Sequence, residues 1–261
     1  MNQAGSESLR GAVAIVTGAS RGIGRKIALS LAADGASVVC AARSTAAAPS
    51  KLPGTLDETV QEIETAGGRA IAVACDVSQE EQVIEMTERV LAELGRIDLL
   101  VNNAAVNVMT PFAETPMKRW DLVLNVNLRG TVACTQAVLP SMLERGSGRI
   151  INVSSGAVAD AEITARLGII PYAVSKAAVE MLTETLALEL QPRGIAVNCL
   201  RIESAIATEG ARLMNPDIDS SDWEEPAAAA ESIRWLATRE LSYTGHVVTM
   251  SDVRQQRGRN E

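Results

Sequence analysis

Tyr172 and Lys176 stand four residues apart in the run Pro171-Tyr172-Ala173-Val174-Ser175-Lys176, within a chain of 261 residues that holds two tyrosines and one histidine. On a helix this spacing puts both side chains on one face, within reach of each other. A lysine cation beside a phenol favours the phenolate, and a helix N-terminus adds positive potential. The pair therefore predicts a tyrosine whose pKa is lowered toward neutrality. Such a phenol can donate or accept a proton during chemistry. The same spacing also arises where a half-buried ring lies beside a solvated ammonium, so the rest of the chain has to choose between the two. The lone His246 excludes a Ser-His-Asp triad and a multi-histidine metal site, and no metal is expected.

Apolar residues make up 47% of the chain and aromatics 2%. The core must then be built from Ala, Val, Ile and Leu, which suits helices packed on a parallel sheet. The length suits one large α/β domain rather than two small ones. A net charge of −8 argues against nucleic-acid binding, which is mostly cationic work. Cys40, Cys75, Cys134 and Cys199 are far apart and form no Cys-x-x-Cys pair, so they read as small hydrophobes. With no signal-peptide pattern and no apolar run of membrane-spanning length, the expectation is a soluble, cytoplasmic protein without a membrane partner.

Strand-like runs at Ala12–Thr17, Ser37–Ala41, Ala70–Ala74, Ile97–Val101, Arg149–Val153, Ile195–Leu200 and His246–Met250 alternate with helix-like segments. The helices are Ile23–Asp34, Thr55–Ala66, Gln79–Leu94, Lys118–Leu143, Tyr172–Leu190 and Pro226–Ala237. This order predicts right-handed βαβ units and a single doubly wound Rossmann-type domain: a parallel sheet of about seven strands flanked by helices. Residues 1–10 read as a flexible tail, 11–252 as the catalytic domain, and 253–261, with Arg254, Arg257 and Arg259, as a solvated C-terminal tail. The Ala- and Pro-rich stretch 45–53 reads as a surface loop.

Between the first strand and the first helix lies Thr17-Gly18-Ala19-Ser20-Arg21-Gly22-Ile23-Gly24. Glycines at this junction permit a tight turn and let backbone N–H groups approach a pyrophosphate at the helix N-terminus. The spacing is Gly-x-x-x-Gly-x-Gly, distinct from the commoner Gly-x-Gly-x-x-Gly.

Together with Cys75-Asp76-Val77, Val101-Asn102-Asn103-Ala104-Ala105, Val126-Asn127-Leu128, Asn152-Val153-Ser154-Ser155 and the Tyr172–Lys176 run, this loop resembles the short-chain dehydrogenase/reductase family across residues 9–200. The stretch Lys51-Leu-Pro-Gly-Thr-Leu-Asp-Glu-Thr with Gly67-Gly68 resembles its hydroxysteroid-dehydrogenase-like branch. The resemblance implies hydride transfer between a nicotinamide and a carbonyl or alcohol. By that pattern Tyr172 is the general acid or base, and Lys176 lowers its pKa and binds the nicotinamide ribose. Ser155 polarises the substrate oxygen, and Asn127 holds a water in the proton path. Strand alternation lets only one of Ser154 and Ser155 face the site. Asn102 and Asn152 could equally be buried hydrogen-bonding residues.

Gly18, Ser20, Arg21, Gly22, Ile23 and Gly24 would cradle the cofactor phosphates. Asp76 and Val77 would hold the adenine, with Asn103 and Ala104 near its ribose. The second strand ends Ala42-Arg43-Ser44 with no acid, and Arg21 adds a second cation. Both favour the 2′-phosphate of NADP(H) over NAD.

Departures lie downstream. Ala105 replaces a glycine, Ile202-Glu203 stands where the family has Pro-Gly, Thr208 falls one position late, and a terminal Gly-Gly is missing. Substrate should meet Val106–Pro116, Gly156–Ile170 and Ser204–Trp223, whose Met109, Phe112, Ile163, Ile169, Met214 and Trp223 suit an apolar carbonyl or secondary alcohol. The long Ser155–Tyr172 interval implies an inserted turn over the pocket. Two helices apolar around their circumference imply a homodimer or homotetramer. The leading expectation is an NADP(H)-dependent oxidoreductase, and the rival is a catalytically silent nucleotide-binding sensor or scaffold.

Overall fold

The computed structural model describes residues 9–214 and 219–258. Residues 1–8 of the expected N-terminal tail, Arg259 and the side chain of Met214 lie outside the described residues. Seven parallel strands run in the order β3-β2-β1-β4-β5-β6-β7. They are β1 Val13–Thr17, β2 Ser37–Ala42, β3 Arg69–Ala74, β4 Leu99–Asn102, β5 Gly148–Ser155, β6 Ile195–Ile202 and β7 Val247–Thr249. The helices are α1 Gly22–Ala33, α2 Leu56–Thr65, α3 Glu80–Leu94, α4 Met117–Leu124, α5 Gly130–Arg145, α6 Ala161–Leu167, α7 Ile170–Leu190, α8 Glu209–Met214, α9 Pro226–Ala237 and α10 Met250–Gly258.

Both faces of the sheet are buried, and the two-residue period divides each strand between them. Ala14 and Val16 of β1 join Val38, Cys40, Leu99 and Val101 against α1, α2, α9 and α10. Val13 and Ile15 join Val39, Ala41 and Leu100 against α3, α5 and α7. The strand order reverses between β1 and β4, which opens a crevice outside their carboxyl ends.

Local chemistry fixes the helix starts. Thr55 caps α2 by accepting the Glu58 N–H at 3.2 Å, with Asp57 and Glu58 in the first turn complementing the helix dipole. The segment expected as one helix over 118–143 is instead α4, a π-helical turn at Asn125–Arg129, and α5. On α7, Val174, Met181 and Leu188 recur every seven residues and stay 46%, 60% and 77% exposed.

One expectation for the C-terminal part is corrected. Residues 253–258, read as a solvated tail, belong to α10, where Val253 is buried and Arg254 pairs with Glu224 at 2.7 Å. The Ile202-Glu203 replacement of Pro-Gly has a structural use. Ile202 extends β6 by pairing with Ser155, and Glu203 turns back to accept the N–H groups of Met250 (2.9 Å) and Ser251 (2.8 Å) at the start of α10. Burial pushes the Glu203 carboxyl up, but the Ser251 hydroxyl and these N–H groups outweigh it and hold the pKa below the usual value. Replacing Glu203 by alanine should cost about 1–2 kcal/mol of stability, as loss of a helix cap does. Urea unfolding of the two proteins checks this, and an unchanged midpoint would remove the capping role.

Candidate active site

Glycine geometry builds the cleft at the sheet reversal. Gly18 has φ +70°, and a Cβ there would lie 2.9 Å from Asn103 Nδ2 and 3.0 Å from Ala104 Cα. A Cβ on Gly24 would collide with the Gly18 carbonyl oxygen. Thr17 Oγ1 accepts the N–H groups of Asn103 and Ala104, both at 3.0 Å, while Asn103 Nδ2 donates to Thr17 O at 2.8 Å. The exits of β1 and β4 are thereby clamped together.

A cleft of about 560 Å³ opens above them. Gly18, Ser20, Arg21, Gly22, Ile23 and Gly24 line it, as do Arg43, Ser44, Asp76, Val77, Asn103 and Ala104. Every nucleotide residue named from sequence, apart from Tyr172 and Lys176, is thus in one cavity. The sequence reading gave Ser50, Lys51 and Leu52 no place in the cleft, and it put Thr208, Glu209, Gly210 and Leu213 in a segment facing substrate rather than nucleotide. The 45–53 loop is a cleft wall: Gly54, at φ +98°, sits where a Cβ would lie 2.6 Å from Ser20 O and 3.0 Å from Arg21 Cβ.

Arg21 is held from that side. Its Nη2 donates to Ser44 Oγ at 2.9 Å and to Gly54 O at 2.8 Å, and its Nε is buried without a partner. Burial pulls this guanidinium below its usual pKa, and nearby Arg43 adds to the effect against the opposing charge of Glu209. Arg43 is exposed and lies 3.7 Å from Asp76 Oδ2, while Asp76 Oδ1 accepts the N–H and hydroxyl of Ser78. Bare glycine backbone, an orphaned guanidinium N–H and clustered cations fit a phosphate-bearing dinucleotide.

At the end of β5 the two serines separate. Ser154 is buried and donates to Glu180 Oε1 at 2.6 Å; Ser155 shares a hydrogen bond with Tyr172. Lys176 departs from expectation. Its Nζ donates to Val153 O at 2.7 Å and lies 5.7 Å from the Tyr172 ring centroid. Burial raises Tyr172 above the usual phenol value, opposite to the direction expected from the lysine, and only the Ser155 hydrogen bond works downward. Burial also lowers Lys176 from 10.5 to about 8, against a smaller upward pull from Cys199.

A stability signature follows. Below pH 8 Lys176 is charged in both the folded and unfolded states, and the buried ammonium costs roughly 3 kcal/mol. Between pH 8 and 10.5 the folded chain has released its proton while the unfolded chain retains it, so the penalty fades as pH rises. Lys176→Met removes the group, at the loss of about 1–3 kcal/mol for the orphaned Val153 carbonyl. The native protein should therefore gain stability relative to Lys176→Met across that interval. Paired denaturant titrations at pH 7 and pH 10 would show it, and a constant difference would refute the depressed lysine.

Asn127, in the π-helical turn, is fully buried. Its Oδ1 accepts the Val106 N–H at 2.8 Å, and its Nδ2 donates to Val106 O and Ser175 Oγ, both at 3.0 Å. Ser175 Oγ donates in turn to the Tyr172 carbonyl at 2.7 Å. Asn102 and Asn152 bond each other at 2.9 Å, and Asn152 donates to Thr183 at 2.8 Å, so both take the buried structural role. The inserted turn is α6, whose terminal Gly168 accepts the Thr110 N–H at 2.9 Å. Met109, Phe112, Ile163 and Leu213 are exposed, whereas Ile169 is buried as packing. Among the described residues no helix is long and apolar enough to cross a membrane, and no acid, His and Cys cluster could hold a metal ion.

A family model described as short chain dehydrogenase matches residues 12–219. Hydroxysteroid dehydrogenase-like protein 2 of Bos taurus is 33% identical over 258 residues, spanning 96% of this chain and 59% of that protein. The chain thus covers little more than half the length of that relative. A 3-oxoacyl-[acyl-carrier-protein] reductase of Synechocystis is 39% identical over 238 residues, covering 88% of this chain and 91% of its own. Among solved structures, a short-chain type dehydrogenase/reductase from Mycobacterium marinum aligns with TM-score 0.81 and 33% identity over 93% of this chain and 94% of its own. A protein described as an NAD(P) dependent gluconate 5-dehydrogenase from Beutenbergia cavernae, with NADP bound at low occupancy, aligns with TM-score 0.82 and 31% identity over 94% of this chain and 97% of its own. With the glycine loop, the reversed sheet and the Ser155–Tyr172 contact in place, the chain belongs to the short-chain dehydrogenase/reductase family.

Proposed function

We propose that this protein is an NADP(H)-dependent oxidoreductase acting on an apolar carbonyl or secondary alcohol, with Tyr172 as general acid in reduction and base in oxidation. The observation that carries the reading is the hydrogen bond of Tyr172 to Ser155 in a chain whose glycine-built cleft is lined by Arg21, Arg43 and Lys51. Bound there, the nicotinamide supplies the hydride. Gly18, Ser20, Gly22, Ile23 and Gly24 would hold the pyrophosphate, Asp76, Val77, Asn103 and Ala104 the adenosine, and Arg21, Arg43 and Ser44 the 2′-phosphate.

Ser155 orients the substrate oxygen and Tyr172 gives it a proton. Lys176 fixes the end of β5 and supplies positive charge beneath the phenol. The family pattern gives Asn127 a water in the proton path. Its side chain is already satisfied by Val106 and Ser175, so we assign it the task of fixing the 106 loop and the Tyr172 turn. Exposed Met109, Phe112 and Ile163 support an apolar substrate. The heptad stripe Val174, Met181 and Leu188 supports a homodimer or homotetramer, and four free, buried thiols suit a reducing cytoplasm. The test is NADPH oxidation with a panel of ketones, aldehydes and quinones. Tight NADPH binding without turnover of any of them would favour a silent nucleotide sensor instead.

A further inference from the structure

Tyr172 and Lys176 continue into a third member of the same stripe, Glu180, four residues on along α7. The three side chains reach the last three residues of β5. Tyr172 meets Ser155, Lys176 donates to the Val153 carbonyl, and Glu180 accepts from Ser154. The third contact is reinforced from the next strand. Arg201 is the register partner of Ser154, and it grips the same carboxylate with Nε at 2.8 Å to Oε1 and Nη2 at 2.6 Å to Oε2. The Glu180 side chain is 10% exposed and that of Arg201 27%, so a bidentate pair is held inside the fold.

We propose that Glu180 and Arg201 are positioning residues for the site serine: through Ser154 they hold the end of β5 so that Ser155 meets Tyr172. Alternation along a strand makes the direction of one residue dictate the next. With Ser154 anchored to Glu180 and Arg201, the next side chain, Ser155, is held in the other direction, where its hydroxyl meets the Tyr172 phenol at the start of α7. Without that anchor the strand end, already at its last paired residue, can rotate and move the serine hydroxyl away from the phenol. A displacement of about 1 Å at a reacting group lowers turnover by up to a hundredfold. The inference rests on Ser155 and Tyr172 being the reacting pair.

The test separates positioning from simple stability. Replacing Glu180 and Arg201 together by leucine removes both charges at once, a change that buried ion pairs tolerate, yet leaves Ser154 without its acceptor. Ser154→Ala removes the link while keeping the ion pair, and it serves alone if the double variant does not fold. The readout is spectrophotometric titration of the Tyr172 phenol, with Tyr172→Phe subtracting the signal of Tyr243. The Ser155 hydrogen bond lowers this titration, so both variants should titrate higher than the native protein, as Ser155→Ala does. If Ser154→Ala titrates like the native protein while Ser155→Ala does not, the proposal is overturned. Turnover should fall on the order of tenfold or more with the KM for NADPH held. A native chain that reduces no carbonyl would defeat the oxidoreductase reading by itself, and the titration would still give its answer.

Discussion

Tyr172→Phe should lower turnover by about 10²–10⁴-fold, the contribution of a positioned proton donor, with NADPH affinity essentially unchanged. Phenylalanine keeps the half-buried ring and removes one hydroxyl, which bonds Ser155, and Tyr172 is not among the residues that line the nucleotide cleft. The direction of the pKa gives the experiment a second arm. Because burial holds the phenol above its usual value, Tyr172 stays protonated through neutral pH and is ready to donate. Carbonyl reduction should therefore hold up at mildly alkaline pH, until Lys176 loses its charge near pH 8. Alcohol oxidation, which needs the phenolate, should rise with pH over the same interval. Rates from NADPH absorbance for both proteins, in both directions, would test this. Equal turnover by native protein and Tyr172→Phe would remove Tyr172 from the chemistry.

What the sequence disclosed about this corner depended on how local the physics was. The glycine loop was legible because its requirement is backbone space: Gly24 abuts the Gly18 carbonyl within one turn of chain. The strands were legible because β1 and β2 are apolar on both faces, as a covered parallel sheet demands. Strand alternation alone does not choose between Ser154 and Ser155; the resemblance picks Ser155, and the physical separation comes from Glu180, 26 positions from Ser154. The tyrosine's pKa was misjudged for a similar reason. Spacing put Lys176 on the right face, but a carbonyl of β5 takes its ammonium, leaving burial to dominate the phenol. Glu203 is legible only as a departure from Pro-Gly, because its partners, the first N–H groups of α10, lie 47 and 48 positions on. The π-helical turn at Asn125–Arg129 contains no glycine or proline to break the helix and leaves no mark in the apolar pattern.

Cofactor choice is where geometry most changes the expected result, because it ranks two arginines that sequence treats alike. Arg43 is 62% exposed and already faces Asp76 at 3.7 Å. A solvated cation of that kind contributes about 0.2–1 kcal/mol, so Arg43→Ala should weaken NADPH only a few-fold. Arg21 is different. Ser44 Oγ and Gly54 O fix its Nη2, its Nε has no partner, and the Gly54 turn packs against the Cα and Cβ from which the side chain springs. A charge-assisted bond from such a pre-set donor is worth about 1.5–3 kcal/mol, so Arg21→Ala should raise the NADPH Kd roughly 10- to 150-fold. NADH, which lacks the 2′-phosphate, should bind native protein and variant alike, turning an NADPH-preferring cleft toward indifference. Raising the salt concentration should erode the Arg43 effect first, since exposed charges are screened more than buried ones. Fluorescence titration of both dinucleotides against native protein, Arg21→Ala and Arg43→Ala would test the ranking. If Arg21→Ala weakens NADH as much as NADPH, the guanidinium holds the loop rather than reading the phosphate, and the preference for NADP(H) loses its main support.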